Sequence, residues 1–335
     1  MDVTPRLTYF CELETQPLQD LFADPQVIQF LISSKASISL GILDLSEERA
    51  RIARLLNDAG VPVTAWLLLP KDQGYWFNLD NAPQAAERYE QFRAWSARYS
   101  LQWERIGVDI EPDIQAVQML AKKPLAGILR MAGQILNQNR LSRGQKAYRE
   151  LIRQIHADGY IVEAYHFPFI IDERNARSHV LQRLTGLVDL PEADHEVFML
   201  YSSFLRPWGQ GLLWSYAPQS ESIGIGSTGG GVELDGKLSP LNWAELQTDL
   251  ILASQHTRSI YIFSLEGCVQ QNFMPRLQNF SWEQPVPIPH AQARRIENYR
   301  NALRQALWLL ERPAWILFGL ALLISLITWI SRQKE

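Results

Sequence analysis

Short apolar runs alternate with longer amphipathic segments along most of this chain. A repeated strand–helix pattern of this kind predicts parallel strands joined by helical crossovers. The strand candidates are 7–13, 37–44, 61–69, 105–112, 160–167, 196–204, 222–227 and 259–265. The helix candidates are 45–59, 82–99, 142–157, 172–185, 242–255 and 290–310.

Eight strands with helices between them predict an α/β fold of the TIM (β/α)8 barrel type. An open doubly wound sheet is the main competitor, but it would normally contain fewer strands. A length of 335 residues also suits a barrel with insertions. Gly60 and Gly159 are placed to end helices in the left-handed conformation, and Asp172 and Asn242 are placed to begin them. We assign residues 1–310 to the barrel and 311–335 to a C-terminal segment of different character.

That C-terminal segment contains an uncharged run over 313–331, PAWILFGLALLISLITWIS. A run of this length predicts a transmembrane helix, and Trp315 and Trp329 lie near its ends, where aromatic residues favour the membrane interface. The N-terminal sequence has no basic region followed by an apolar one, so no signal peptide is visible. The expectation is a single-pass membrane protein with a C-terminal anchor and a cytoplasmic barrel.

Charge and cysteine content exclude several classes of function. The net charge of −4 lacks the basic excess of a nucleic-acid-binding surface. The two cysteines, Cys11 and Cys268, cannot form a disulfide framework or a zinc cluster. They would approach each other if the first and last strands are neighbours, and we expect reduced thiols. No cofactor is predicted.

The fourth strand carries the most informative residues. In Ile106-Gly107-Val108-Asp109-Ile110-Glu111-Pro112, alternation places Gly107, Asp109 and Glu111 on one face. Two neighbouring carboxyls cannot both ionise freely, so the pKa of one rises. An acid that remains protonated beside a charged neighbour is suited to protonating a glycosidic oxygen. A structural ion pair is the alternative explanation.

Other polar residues follow the predicted strand ends, where barrel enzymes place their chemistry. Tyr201, on strand six, would donate a hydrogen bond to the substrate beside the catalytic Glu111 and Asp109. The predicted substrate-binding residues are Glu163, Tyr165, Tyr75, Trp76 and Glu266. Among them, Tyr75 and Trp76 are expected to form an exposed aromatic surface that stacks on sugar rings. The expected partner is therefore a carbohydrate or glycoconjugate, in addition to the membrane.

These motifs resemble those of the family 18 glycoside hydrolases, the chitinase-type barrels. That family ends its fourth strand in Asp-x-x-Asp-x-Asp-x-Glu, and Asp109-Ile110-Glu111 matches the final Asp-x-Glu. The two earlier Asp positions are Glu104 and Gly107 here, and Ser202 replaces the Asp of a Met-x-Tyr-Asp motif on strand six. The lysozyme-type family 25 barrels also end a strand in Asp-x-Glu. The resemblance implies a general-acid role for Glu111.

Two further functions remain open from the sequence. The first is a divalent-metal barrel resembling sugar isomerases of the xylose isomerase type, with Glu111, His166 and Glu266 as ligands. Alternation along strand five, however, places His166 on the outer face. The second is a non-catalytic carbohydrate-binding or scaffold barrel, which the incomplete motif favours.

Overall fold

A computed structural model describes residues 4–112, 133–134, 137–230 and 239–312. The strands are β1 Arg6–Cys11, β2 Ser37–Ile42, β3 Val63–Leu67, β4 Arg105–Asp109, β5 Ile161–His166, β6 His195–Met199, β7 Ser222–Gly226 and β8 Ser259–Phe263. The helices are α1 Thr15–Ala23, α2 Pro25–Ser33, α3 Glu47–Asp58, α4 Ala82–Tyr99, α5 Gln138–Ala157, α6 Phe169–Ala176, α7 Val180–Thr185, α8 Gly209–Tyr216, α9 Trp243–Ser254, α10 Leu265–Gln270, α11 Met274–Gln278 and α12 His290–Leu310.

The strands form one closed parallel barrel in chain order, and β1 pairs with both β2 and β8. The predicted eight-stranded barrel is therefore present. Alternate side chains of each strand face its interior or its helices. Along β2, Ile38 and Leu40 pack in the outer apolar core, whereas the Ser39 hydroxyl lies 2.6 Å from that of Tyr165 inside the barrel. An aromatic cluster that includes Phe10 and Trp66 fills the interior.

The helix ends follow the sequence signals in most places. Gly60 and Gly159 adopt positive φ values of 71° and 88° directly after α3 and α5. Asn242 begins α9 with a capping box, in which its side chain accepts from the backbone of Glu245 and the Glu245 side chain accepts in return. These residues satisfy backbone groups that the helices leave unpaired.

Asp172 does not begin a helix, contrary to the prediction. It lies inside α6, fully buried, where its carboxylate accepts a hydrogen bond of 3.0 Å from Arg300 Nε of α12. The Arg300 guanidinium also lies 3.8 Å from the ring centroid of Tyr216 in α8. This buried ion pair, rather than a capping interaction, determines the position of Asp172 and attaches α12 to the barrel.

The predicted transmembrane helix is corrected. Among the described residues, no helix is both long and apolar enough to cross a membrane. The long helix α12 carries charged residues and packs against α6 and α8 as part of the barrel's outer layer. The segment 313–331, on which the prediction rested, lies outside the described residues. The finding overturns the predicted anchor, the membrane partner and the single-pass localisation.

Candidate functional site

The two acids of the fourth strand lie at the carboxyl end of the barrel. The loop after β3 pairs with the chain beyond β4, where Phe77 N donates to Asp109 O (3.0 Å) and Glu111 N donates to Phe77 O (3.1 Å). Asp109 is 2% exposed, whereas Glu111 is only partly buried. Glu111 is therefore the member of the pair that a ligand can reach, and Asp109 lies beneath it.

The buried Asp109 carboxyl has one hydrogen bond and one unused oxygen. Its Oδ2 accepts from the indole Nε1 of Trp66 at 3.1 Å, and its Oδ1 has no partner among the described residues. Gly107 precedes it on the same face, and a Cβ there would lie 2.6 Å from the Tyr165 hydroxyl. A glycine at 107 thus lets the Tyr165 ring pack beneath the acid pair.

Two more carboxyls complete the cluster from β1 and from the start of α10. The Tyr75 hydroxyl donates a hydrogen bond of 2.5 Å to Glu12 Oε1, and the backbone N–H of Glu12 donates one of 3.3 Å to Glu266 Oε1. Glu12 and Glu266 are 8% and 2% exposed. The second oxygen of Glu266, Oε2, has no partner within the part of the chain that the structure describes. We call Glu12, Asp109, Glu111 and Glu266 the mouth acids.

Burial holds protons on the mouth acids. It raises the pKa of Glu12 to about 8, with added repulsion from Asp109 and Glu266. Burial also raises the pKa of Glu266 to about 7. The pKa values of Asp109 and Glu111 are both raised, in each case mainly by burial, and the Asp109 charge adds to the effect on Glu111. Near neutral pH the cluster therefore contains proton donors, as general acid catalysis requires.

Tyr201 adjoins these acids. It is 7% exposed, and burial raises the pKa of its hydroxyl well above the usual value. The charges of Asp109, Glu111 and Glu12 raise it further. The hydroxyl therefore remains a hydrogen-bond donor across the physiological range. The following residue, Ser202, turns away from the mouth and hydrogen-bonds Asp249 of α9.

Tyr75 and Trp76 are buried, at 3% and 7% exposure, instead of forming an exposed surface. The loop returns over the barrel because Gly74 and Tyr75 take positive φ values of 103° and 64°, and Leu69 N then donates to Tyr75 O at 2.8 Å. Tyr75 acts on the site through its bond to Glu12. The more exposed aromatic residue is Phe204, 45% exposed, whose ring meets Tyr201 edge-on at 5.3 Å.

Glu163 and Tyr165 face the interior, as alternation predicted, and bond to their neighbours there. Glu163 accepts from Arg105 Nη1 (2.8 Å), the Tyr165 hydroxyl (2.7 Å) and the Tyr261 hydroxyl (2.6 Å). In register, Tyr165 is level with Asp109, and Glu163 lies one layer deeper, level with Gly107. The pair forms the floor of the site.

His166 lies outside the barrel, again as alternation predicted. Its Nε2 is 3.6 Å from Glu196, and Asp189 is close enough that all three could contact one metal ion. Arg174 already forms salt bridges with both Asp189 and Glu196, so these carboxylates have a cationic partner. The proposed metal ligands Glu111, His166 and Glu266 are not brought together, because the barrel wall separates His166 from the other two.

Sequence reasoning missed two contributors to the site. They are Glu12, which follows β1, and Trp66 of β3. Alternation along β1 and β3 would have placed both on the inner face, with Phe10 and Leu68. The two cysteines, Cys11 and Cys268, are buried free thiols, as expected.

Comparisons with known proteins assign no family to this chain. The chain matches no protein-family model and no curated protein, so membership of glycoside hydrolase family 18 is not established. It is similar to the PgaB (BpsB) glycoside hydrolase domain from Bordetella bronchiseptica, at 12% identity and a TM-score of 0.48 over 82% of this chain and 98% of that domain. It is also similar to a D-allulose 3-epimerase from Methylomonas sp., at 9% identity and a TM-score of 0.42 over 90% and 100% of the two chains. A third structure is the 3-keto-D-glucoside 4-epimerase YcjR from E. coli, at 11% identity and a TM-score of 0.43 over 82% and 99%.

The raised pKa of Glu12 predicts an unusual pH dependence of stability. Between its ordinary value of 4.5 and about 8 the glutamate ionises only when the chain unfolds, so the free energy of unfolding falls as pH rises. One such group contributes a slope of up to about 1.4 kcal/mol per pH unit. We therefore expect Glu12→Gln, which does not titrate, to unfold at a higher temperature than the wild type at pH 8 and to match it near pH 4.5.

The matched control is Glu14→Gln, because Glu14 is an exposed acid of the same loop that pairs with Lys71 at 3.1 Å. This variant should keep the wild-type pH dependence, since the buried Glu12 carboxyl group is retained. Thermal unfolding curves at several pH values measure the difference. Parallel curves for Glu12→Gln and the wild type would contradict the assignment.

Proposed function

We propose that the protein is a glycoside hydrolase-like barrel whose general acid is Glu111. The observation that carries this proposal is the pair of acids at the end of β4. Glu111 is partly exposed at the barrel mouth, whereas Asp109 is buried beneath it with one oxygen unpartnered among the described residues. Burial and the neighbouring Asp109 charge raise the pKa of Glu111, which favours its protonated form.

In the proposed reaction, Glu111 donates its proton to the glycosidic oxygen as the bond from that oxygen to the sugar carbon breaks. Positive charge then develops on the sugar ring, and the Glu111 carboxylate left by this proton transfer stabilises it, while Asp109 orients the substrate. A water molecule attacks the ring carbon and loses its proton to a carboxylate. Tyr201 donates a hydrogen bond to the substrate, consistent with its position beside Asp109 and Glu111.

The remaining predicted site residues support the sugar from the walls and floor of the mouth. Glu266 contributes a free carboxyl oxygen, and Tyr75 orients Glu12. Trp76 packs on Tyr75, with ring centroids 5.2 Å apart, and keeps that wall apolar. Glu163 and Tyr165 form the floor beneath the acid pair. The whole barrel, residues 1–310, is assigned to this activity.

The test is hydrolysis of a broad panel of chromogenic glycosides and oligosaccharides by the full chain across a pH series. Because the acid must be protonated, kcat/KM should persist to near-neutral pH and fall as pH rises further. A rate that rises steadily with pH would exclude a general acid. Binding of oligosaccharides without turnover on any panel member would replace this proposal with a non-catalytic carbohydrate-binding barrel.

A further inference from the structure

We propose that the barrel mouth is selective for a cationic sugar, one that presents a free ammonium group to the mouth acids. This inference names a substrate class for the site and rests on the proposed function for its catalytic meaning. The inference that such a sugar binds does not require catalysis, because it is argued from the carboxyl groups of the mouth acids. Sugars whose amino group is acetylated, or replaced by a hydroxyl group, would bind less tightly.

The first support is the number of unused carboxyl oxygens. Asp109 Oδ1 and Glu266 Oε2 are buried, and neither has a hydrogen-bond partner among the described residues. Glu12 lies near both acids, since the charges of both raise the pKa of its carboxyl group. Buried polar atoms are almost always paired in folded proteins, so two unpaired carboxyl oxygens on acids that both neighbour Glu12 indicate a missing donor.

The second support is the charge balance at the mouth. Lys71 is the basic side chain that acts on Glu12, but it is exposed and pairs with Glu14. Other groups next to the acids are neutral donors, among them Trp66, Tyr75, Tyr201 and the thiol of Cys11. Arg105, which projects inside the barrel, pairs with Glu163 one layer deeper. The mouth acids thus lack a buried cationic partner among the described residues, which is why burial keeps them protonated in the absence of a cation.

An ammonium group fits this arrangement better than a metal ion does. Among the described residues, the ligand atoms close enough to share one metal ion belong to His166, Asp189 and Glu196, outside the barrel. The mouth acids do not form such a group. An ammonium group has three donors and can be held by two or three acceptors, whereas a hard divalent cation usually requires six or more oxygen ligands.

Binding of a cation should release protons from the mouth acids. The pKa values of Glu12 and Glu266 are raised because their charged forms are buried without a partner, and an ammonium group would supply that partner. At about pH 6 a typical amine is already protonated and these carboxyls are largely neutral. Complex formation at that pH would therefore release about one proton, a signature that a neutral sugar would not produce.

The experiment compares three pentasaccharides by titration calorimetry with the full chain at pH 6. The ligands are a β-1,4-linked glucosamine pentamer, its fully N-acetylated form and the corresponding glucose pentamer. We expect the glucosamine pentamer to bind at least about tenfold more tightly than the other two. Repeating the titration in buffers of different ionisation enthalpy should show release of about one proton for this ligand alone.

The matched variants are Glu12→Gln and Glu14→Gln. The first removes a mouth acid while keeping an oxygen for Tyr75, and it should reduce the preference for the amino sugar by about tenfold. The second removes an exposed acid that pairs with Lys71 and should leave the preference unchanged. Circular dichroism and the melting temperature establish that each variant is folded before its titration is interpreted.

Any of four results would overturn this inference. They are equal affinity for the three pentamers, tighter binding of the N-acetylated or glucose pentamer, binding of the glucosamine pentamer without proton release, and no binding of any pentamer. The readout is independent of turnover, so the two proposals fail separately. Hydrolysis of neutral glycosides without amino-sugar preference would leave only the proposed function standing. Selective binding of the glucosamine pentamer without hydrolysis of any glycoside would leave only the ammonium site.

Discussion

Replacing Glu111 by Gln is expected to lower kcat/KM about 10²–10⁴-fold on glycosides with poor leaving groups, the usual contribution of a positioned general acid. The amide has nearly the same shape but cannot donate a proton with the required acidity. Because the side chain is only partly buried, the fold should be retained. Glycosides with an acidic leaving group, such as dinitrophenol, need little protonation, so their rates should fall much less.

Steady-state kinetics on a leaving-group series measures this difference. The control is Glu104→Gln, the same change at the opposite end of β4, where the acid pairs with Arg6 near the surface at 3.0 Å. It should leave every rate within about twofold, since exposed ion pairs contribute little. An equal loss on all leaving groups in Glu111→Gln would show that Glu111 has a role other than proton donation.

Replacing Glu163 by Leu should reduce the free energy of unfolding by about 3–5 kcal/mol. Glu163 is fully buried and is the acceptor for Arg105, Tyr165 and Tyr261. A leucine leaves the Arg105 charge and two hydroxyl groups without that acceptor inside the barrel. Desolvation of these unpaired groups, more than loss of the ion pair itself, accounts for the magnitude.

Urea denaturation of the single and double variants separates these contributions. Glu163→Leu combined with Arg105→Leu removes both charges, so it should recover a large part of the loss. Glu104→Leu, which removes an exposed partner of Arg6, should cost no more than about 1 kcal/mol. A loss below about 1 kcal/mol for Glu163→Leu would mean that water or a rearranged side chain replaces the carboxylate.

Alternation along single strands could be predicted from the sequence because it is a local property. The period of two placed Asp109 and Glu111 on the inner face of the fourth strand, Glu163 and Tyr165 on that of the fifth, and His166 outside. The structure places these side chains on the predicted sides of the barrel wall. The same reasoning argued against His166 as a metal ligand inside the barrel, although the sequence left that hypothesis open.

Loop paths could not be predicted in the same way. Tyr75 and Trp76 occur in a polar loop and were expected to be exposed, but the positive φ values at Gly74 and Tyr75 fold that loop over the mouth. The transmembrane prediction relied on the length of the uncharged run 313–331 and on the Trp residues near its ends. Among the described residues, no helix meets the requirement for crossing a membrane.

The sequence by itself determined the strand count, the order of elements and the inward direction of the acid pair, since hydrophobic periodicity and turn residues act over a few positions. Only the tertiary structure placed Glu12 beside Glu266, 254 positions away, because closure of β1 on β8 creates that neighbourhood. It also left Asp109 and Glu266 with unused oxygens. Proton affinity and ligand preference depend on burial and on distances between remote segments, and these exist only in the folded chain.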